Sequence, residues 1–108
     1  MGKVIMYQKA TCGTCKKEKA YLTRVKISFE ERDIIKEPPS REFLERHIDE
    51  SHLDDYINKH SKPYREFRLG SRKISKSELI ELMVKDPNLI KRPIIIDGKK
   101  VYFGYNEI

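Results

Sequence analysis

Short apolar runs lie near both ends of the chain, and apolar residues at three- and four-residue spacing fill its middle. Lys3-Val4-Ile5-Met6-Tyr7 is short and mostly apolar, which predicts a buried strand. From Cys15 to Val25 the residues favour helix, with Cys15, Ala20, Leu22 and Val25 as the expected inner face. Ser28 to Ile34 alternates Phe29, Glu31 and Asp33 against Glu30, Arg32 and Ile34, a strand pattern supported mainly by its position. These segments read strand, helix, strand. The crossover is about one helix long, as a parallel βαβ unit requires.

Pro38-Pro39-Ser40 ends that unit. Ser40 is a fair N-cap, with Glu42 in the first turn and Phe43, Leu44, His47 and Ile48 at helical spacing. Leu53, Tyr56 and Ile57 predict a second short helix, and Pro63 to Phe67 a further turn. Ser75-Lys76-Ser77-Glu78 resembles a capping box, opening a helix with Leu79, Leu82 and Met83 on one side. Asp86-Pro87-Asn88 breaks it. Residues 40–90 therefore form a helical block. Pro93 to Asp97 is a β-branched strand, Gly98-Lys99 a tight turn, and Lys100 to Gly104 its returning partner.

The expected fold class is α/β: a four-stranded mixed sheet with helices packed on it. A helical insertion separates the βαβ unit from the C-terminal hairpin, the thioredoxin-type arrangement. At 108 residues the chain is expected to be a single domain over 1–108. A chain this short buries about two-thirds of its unfolded surface, enough for one modest core. The longest apolar run, Pro93 to Ile96, is far below the roughly 18 residues that span a bilayer. Met1 to Met6 lacks the apolar stretch and cleavage site of a signal peptide. The expected compartment is the cytoplasm, with no membrane partner.

Charged residues make up 37% of the chain, and the net charge is +6. Lys and Glu interleave, and no stretch collects more than a few like charges. Such a charge could attract nucleic acid or an acidic partner, but the balance reads as a soluble surface that leans basic. Tyr64, Phe67, Tyr102, Phe103 and Tyr105 could interleave with bases on a nucleic-acid surface, but aromatics are more often core. Direct nucleic-acid binding is not expected.

Both cysteines, Cys12 and Cys15, stand three apart near the N-terminus. In a reducing compartment such a pair points to catalysis, regulation or metal binding rather than to a permanent staple. Cys12 falls at or just before the predicted helix start and Cys15 about one turn inside. Free amide groups and the helix dipole favour an anion there, and the thiolate is the reactive form. Cys12 is thus expected to attack, and Cys15 to resolve the mixed disulfide. Thr11, Gly13 and Thr14 frame the pair. Gly13 lacks a Cβ and leaves room for a bound group. Lys16 could help stabilise the thiolate or lie on a solvated face. In thioredoxin-type folds a cis proline precedes the hairpin strand and packs against the thiols. Pro93, after Arg92, is the proline placed for that role.

A structural zinc site needs four ligands, and the C-x-x-C supplies two. His47, His52 and His60 lie in the helical block without tight spacing, so no metal is expected. No Gly-rich phosphate motif supports a nucleotide or other cofactor.

Cys12-Gly13-Thr14-Cys15-Lys16-Lys17, Glu37-Pro38-Pro39-Ser40 and Asn88 to Ile96 together resemble the ArsC family of thioredoxin-fold proteins. The similarity covers nearly the whole chain. The family includes glutaredoxin-linked arsenate reductases and the Spx regulators, which bind bacterial RNA polymerase in a redox-dependent way. In the reductase branch the reactive cysteine maps to Cys12, and Arg92 matches one of three oxyanion-holding arginines. The arginine expected before "KPY" is absent: Asn58 stands there, beside Lys59. None stands near Phe103-Gly104 for the third. Lysine does not replace a bidentate guanidinium, so arsenate reduction is not carried over.

The resemblance implies a thiol-disulfide oxidoreductase using Cys12, Cys15 and Arg92. Thr11, Gly13, Thr14, Lys16 and Pro93 would position the substrate. Its electrons would come from glutaredoxin, thioredoxin or glutathione. The alternative is a Spx-like redox sensor that docks on the RNA polymerase α subunit, with which the chain shares a true C-x-x-C and the ending Gly104-Tyr105-Asn106-Glu107. An inert C-x-x-C on the same fold is the third reading. Both branches continue into a C-terminal helix, whereas this sequence stops at Ile108; the resemblance implies a less covered sheet face and a tendency to self-associate.

Overall fold

The computed structural model describes residues 4–108. Two compact units are present, one of residues 4–37 with 92–108 and the other of residues 38–91. The first holds strands β1 (Val4–Gln8), β2 (Phe29–Asp33), β3 (Ile94–Asp97) and β4 (Lys100–Phe103), with helix α1 (Gly13–Arg24). The sheet order is β2-β1-β3-β4. β1 runs parallel to β2, with Val4 opposite Phe29, and antiparallel to β3, with Met6 opposite Ile95. β3 and β4 are antiparallel from Ile94↔Phe103 to Asp97↔Lys100. That register leaves Gly98-Lys99 as the turn, and Gly98 takes φ +62°, which glycine adopts without penalty. The fold is the mixed four-stranded α/β sheet that the pattern predicts. The Lys3 end of the first predicted strand lies outside the described residues.

One face of this sheet carries the first unit's core. Val4, Met6, Leu22 and Ile95 are buried together, with Tyr21, Ile27, Phe29, Tyr102 and Ile108 packed around them. Val4 and Met6 alternate along β1, so both reach this face. Helix α1 differs from the expected inner face. Cys15, Glu18 and Leu22 are its buried residues, whereas Ala20 and Val25 are exposed. The inward stripe repeats at three and four residues, which Ala20 breaks, and Val25 is the C-cap beyond the last turn.

The second unit contains α2 (Arg41–His47), α3 (Lys62–Glu66) and α4 (Lys76–Lys85), with 3₁₀ turns at Glu50–Tyr56 and Pro87–Leu89. The second predicted helix is thus a 3₁₀ segment, broken at His52, whose φ is −147° and ψ 60°. Serines open all three α-helices. Ser40, Ser61 and Ser75 accept from the backbone N–H of Phe43, Tyr64 and Glu78 at 3.0, 3.3 and 3.1 Å. On α4 the buried residues are Leu79, Ile80 and Met83. Ile80 takes the place expected for Leu82, which is half-buried. An Ile57↔Ile90 bridge closes the unit, with Asn58 donating to the Leu89 carbonyl and Lys91 to that of Tyr56.

Candidate functional site

The thiol pair sits where β1 hands over to α1. Cys12 N–H donates to the Lys9 carbonyl at 2.9 Å, fixing the turn before the helix. Cys12 is then the N-cap, with φ −87° and ψ 114°, and its Sγ accepts from the Cys15 N–H at 3.2 Å. A sulfur thus fills the place that Ser or Asp takes at other N-termini, and an ionised sulfur fills it better. Both cysteines are free thiols; Cys12 is half-buried and Cys15 fully buried.

The surroundings separate the two acidities. Partial burial pushes the Cys12 thiol up. Hydrogen bonds from the Cys15 thiol, the Cys15 backbone and Arg92, with the Arg92 charge, outweigh it and hold Cys12 below the ordinary thiol value. Cys15 moves the other way. Its burial, followed by its bond to the Cys12 sulfur, pushes it up to about 12, and the Lys9 backbone and Arg92 offset only part of this. The arrangement favours a thiolate at the accessible sulfur and a protonated thiol behind it. A thiolate in reach of solvent is a nucleophile, and a buried neighbouring thiol is a proton donor that can later attack.

Of the residues singled out in the sequence, Cys12, Cys15 and Arg92 come together. Arg92 enters from the segment before β3, through a cis Arg92–Pro93 bond. Pro93 is buried, and its carbonyl accepts from Gly104 N–H at 2.7 Å. Thr11, Gly13, Thr14 and Lys16 are exposed around the helix start. A Cβ at Gly13 would meet nothing within 4 Å, so the space over the first turn is open. The positive charge that lowers both thiols is that of Arg92. His52 lies between Asp49 and Asp55, at 3.4 and 3.2 Å, and no group of three or more His, Cys, Asp or Glu side chains that could hold a metal ion occurs among the described residues.

Two features of this region escaped the sequence reading. Lys9 contributes through its backbone, which composition does not reveal. Glu18 is fully buried, and its Oε1 accepts from Asn106 N–H at 2.8 Å, while its Oε2 is buried without a hydrogen-bond partner. Burial raises the Glu18 carboxyl; the Asn106 bond opposes this and Glu107 adds to it. The same helix holds the end of the chain twice more. Lys17 Nζ lies 4.4 Å from the centre of the Tyr105 ring, and Tyr21 Oη donates to the Ile108 carbonyl at 2.8 Å. The spacing Cys15, Glu18, Leu22 was the available signal, since all three fall on one helical stripe.

A thioredoxin-like sheet with a C-x-x-C at the N-terminus of its first helix defines a class of thiol proteins. Within it, residues 7–108 match the model of the ArsC family, and the chain belongs to that family. It is similar to the global transcriptional regulator Spx of Lactiplantibacillus plantarum, 34% identical over 106 residues that cover 96% of this chain and 80% of that protein. The Spx of Streptococcus pneumoniae is 35% identical over the same shares. Among solved structures, an ArsC family related protein from Bacteroides fragilis superposes with a TM-score of 0.86 at 28% identity, covering 97% of this chain and 93% of that one. A protein described as a possible arsenate reductase from Streptococcus mutans gives 0.84 at 27% identity, covering 98% and 93%. No helix among the described residues is long and apolar enough to cross a membrane.

Proposed function

We propose that the chain is a thiol-disulfide oxidoreductase in which Cys12 attacks and Cys15 resolves. The opposite displacement of the two thiol acidities carries this reading: Cys12 is held toward the thiolate and Cys15 toward the thiol. The Cys12 thiolate attacks one sulfur of a substrate disulfide. A Cys12–substrate disulfide forms, and the other substrate sulfur leaves as a thiolate that takes up a proton. Cys15 then gives up its proton and attacks the Cys12 sulfur, releasing the second substrate thiol and closing Cys12–Cys15. Of the two protons that the substrate takes up, one comes from Cys15 and one from solvent; the pair supplies both electrons. A dithiol donor such as glutaredoxin or thioredoxin, or two molecules of glutathione, returns them. Arg92 holds the departing or attacking sulfur as an anion. Thr11, Gly13, Thr14, Lys16 and Pro93 line the approach.

The test is trapping with glutathione disulfide, read by mass spectrometry of the intact protein. Cys15→Ser accumulates a mixed disulfide on Cys12, and Cys12→Ser accumulates none. Trapping only in Cys12→Ser reverses the two roles, and trapping in neither supports an inert pair.

The similarity to the Spx regulators favours a second reading, in which the same disulfide alters a surface that docks on the RNA polymerase α subunit. Titration calorimetry with the C-terminal domain of that subunit separates the two. Binding that changes between reduced and oxidised protein supports the regulator, and no binding in either state supports the oxidoreductase.

A further inference from the structure

The charge of this chain is unevenly distributed. Seven of the eighteen residues from Lys59 to Lys76 are Lys or Arg, against the single acid Glu66, an excess of six that equals the net charge of the whole protein. Just before it, residues 42–55 carry six acids against Arg46. No long run of like charges marks the basic segment, because its cations, the adjacent Arg72 and Lys73 apart, are separated by two or three other residues.

The fold turns this spacing into a surface. All seven cations lie in the second unit, and all but the half-buried Lys76 are exposed. The segment is held from beneath. Pro63 and Leu69 are buried, and Tyr64 packs so closely under Gly70 that a Cβ there would meet its hydroxyl at 2.9 Å. Arg68 takes φ +55° to turn the chain out of α3. Arg65 donates to the His60 carbonyl at 3.2 Å, and Arg72 to that of Phe67 at 2.9 Å, so two guanidinium groups are steadied by their own loop. Three cations face acids: Lys59 with Asp54, Lys62 with Glu66, and Arg72 with Glu78. Arg65, Arg68 and Lys73 pair with no acid among the described residues and are exposed to solvent.

Against the expectation from composition and aromatic placement, we infer that this segment binds the phosphodiester backbone of a nucleic acid, without reading its sequence. A protein partner is disfavoured because a protein interface needs a desolvated apolar or aromatic centre. Among the described residues the exposed large hydrophobics are Val25, Ile35 and Val84, none of them in this segment. A phosphate backbone needs no such centre. It is recognised by ordered guanidinium and ammonium groups whose binding releases counterions. The inference stands on charge and packing in the second unit and does not depend on the thiol chemistry.

The test is fluorescence anisotropy of a labelled random-sequence DNA duplex with the full chain, titrated from 50 to 200 mM salt. Contact through Arg65, Arg68 and Lys73 neutralises about three phosphates, so affinity falls about 40-fold over that range, a log–log slope near −2.7. Arg68→Gln with Lys73→Gln brings the slope to about −0.9. Lys99→Ala with Lys100→Ala removes the same charge from the β3–β4 hairpin and leaves the slope unchanged. No binding at 50 mM salt overturns the inference, as does a slope that both double variants lower equally. Displacement of the duplex by polyglutamate at matched charge overturns it in favour of an acidic protein partner. Circular dichroism confirms that each variant folds, which exposed substitutions permit.

Discussion

Replacing Glu18 by Gln tests the buried carboxyl of α1 that accepts from Asn106. The substitution keeps the shape and the carbonyl oxygen that accepts from Asn106 N–H. It removes the ionisation and replaces Oε2, the oxygen buried without a partner, by an amide nitrogen. Burial raises this carboxyl in the folded chain, so folding favours the protonated acid. A carboxyl raised on folding contributes stability at low pH, and that contribution is lost as pH climbs through the folded value. Each unit of elevation corresponds to about 1.4 kcal/mol once the group must be ionised in the folded state. Against this, an unsatisfied buried amide donor costs about 1–3 kcal/mol. That cost is independent of pH, so it sets the offset between the proteins and not the trend. Urea unfolding of both at several values between pH 4 and 8 gives the difference directly. The expected result is a Gln variant that gains steadily on the parent as pH rises and levels off once Glu18 is ionised in the folded state. A flat difference, or a parent that gains on the variant with rising pH, refutes the argument.

The acidity of Cys12 is read by the pH dependence of iodoacetamide alkylation: Cys12 reacts below the pH of an ordinary thiol, while Cys15 stays unreactive in the folded chain. Arg92→Met raises the pH midpoint of Cys12 alkylation, because it removes a hydrogen bond and a charge that hold the thiol down; an unchanged midpoint removes Arg92 from the site. Ile95→Ala, at a fully buried position in the middle of the sheet, costs about 2–5 kcal/mol in urea unfolding. Ser75→Ala leaves the Glu78 N–H without its cap and costs about 1 kcal/mol.

Much of this was legible in the chain. A short apolar run marked β1, a β-branched run marked β3, and Asp97-Gly98 marked the hairpin turn between β3 and β4. Ser40 and Ser75 marked the starts of α2 and α4 because a side-chain oxygen satisfies amide groups that the helix leaves open. These are local effects, within a few residues of the signal, and local signals survive in a sequence. The C-x-x-C was readable for the same reason: its spacing and the helix start after it place Cys12 at an N-terminus without any tertiary contact.

Other features depended on what the chain meets after folding. Arg92 lies 80 residues from Cys12, and only the placement of the segment before β3 beside the β1–α1 turn gives it a thiol to act on. The α1 stripe is another such case: Ala20 looks apolar and is exposed, whereas Glu18 looks polar and is buried, because the end of the chain folds over Glu18 and supplies the Asn106 N–H. The opposite acidities of two neighbouring cysteines follow likewise from burial and hydrogen bonding, which identical side chains cannot encode. The sequence by itself determined which elements form and where the sulfurs sit along them. Tertiary structure added what drives the two acidities apart, burial of Cys15 and the charge of Arg92, because desolvation and long-range charge act only once the chain has closed around the pair.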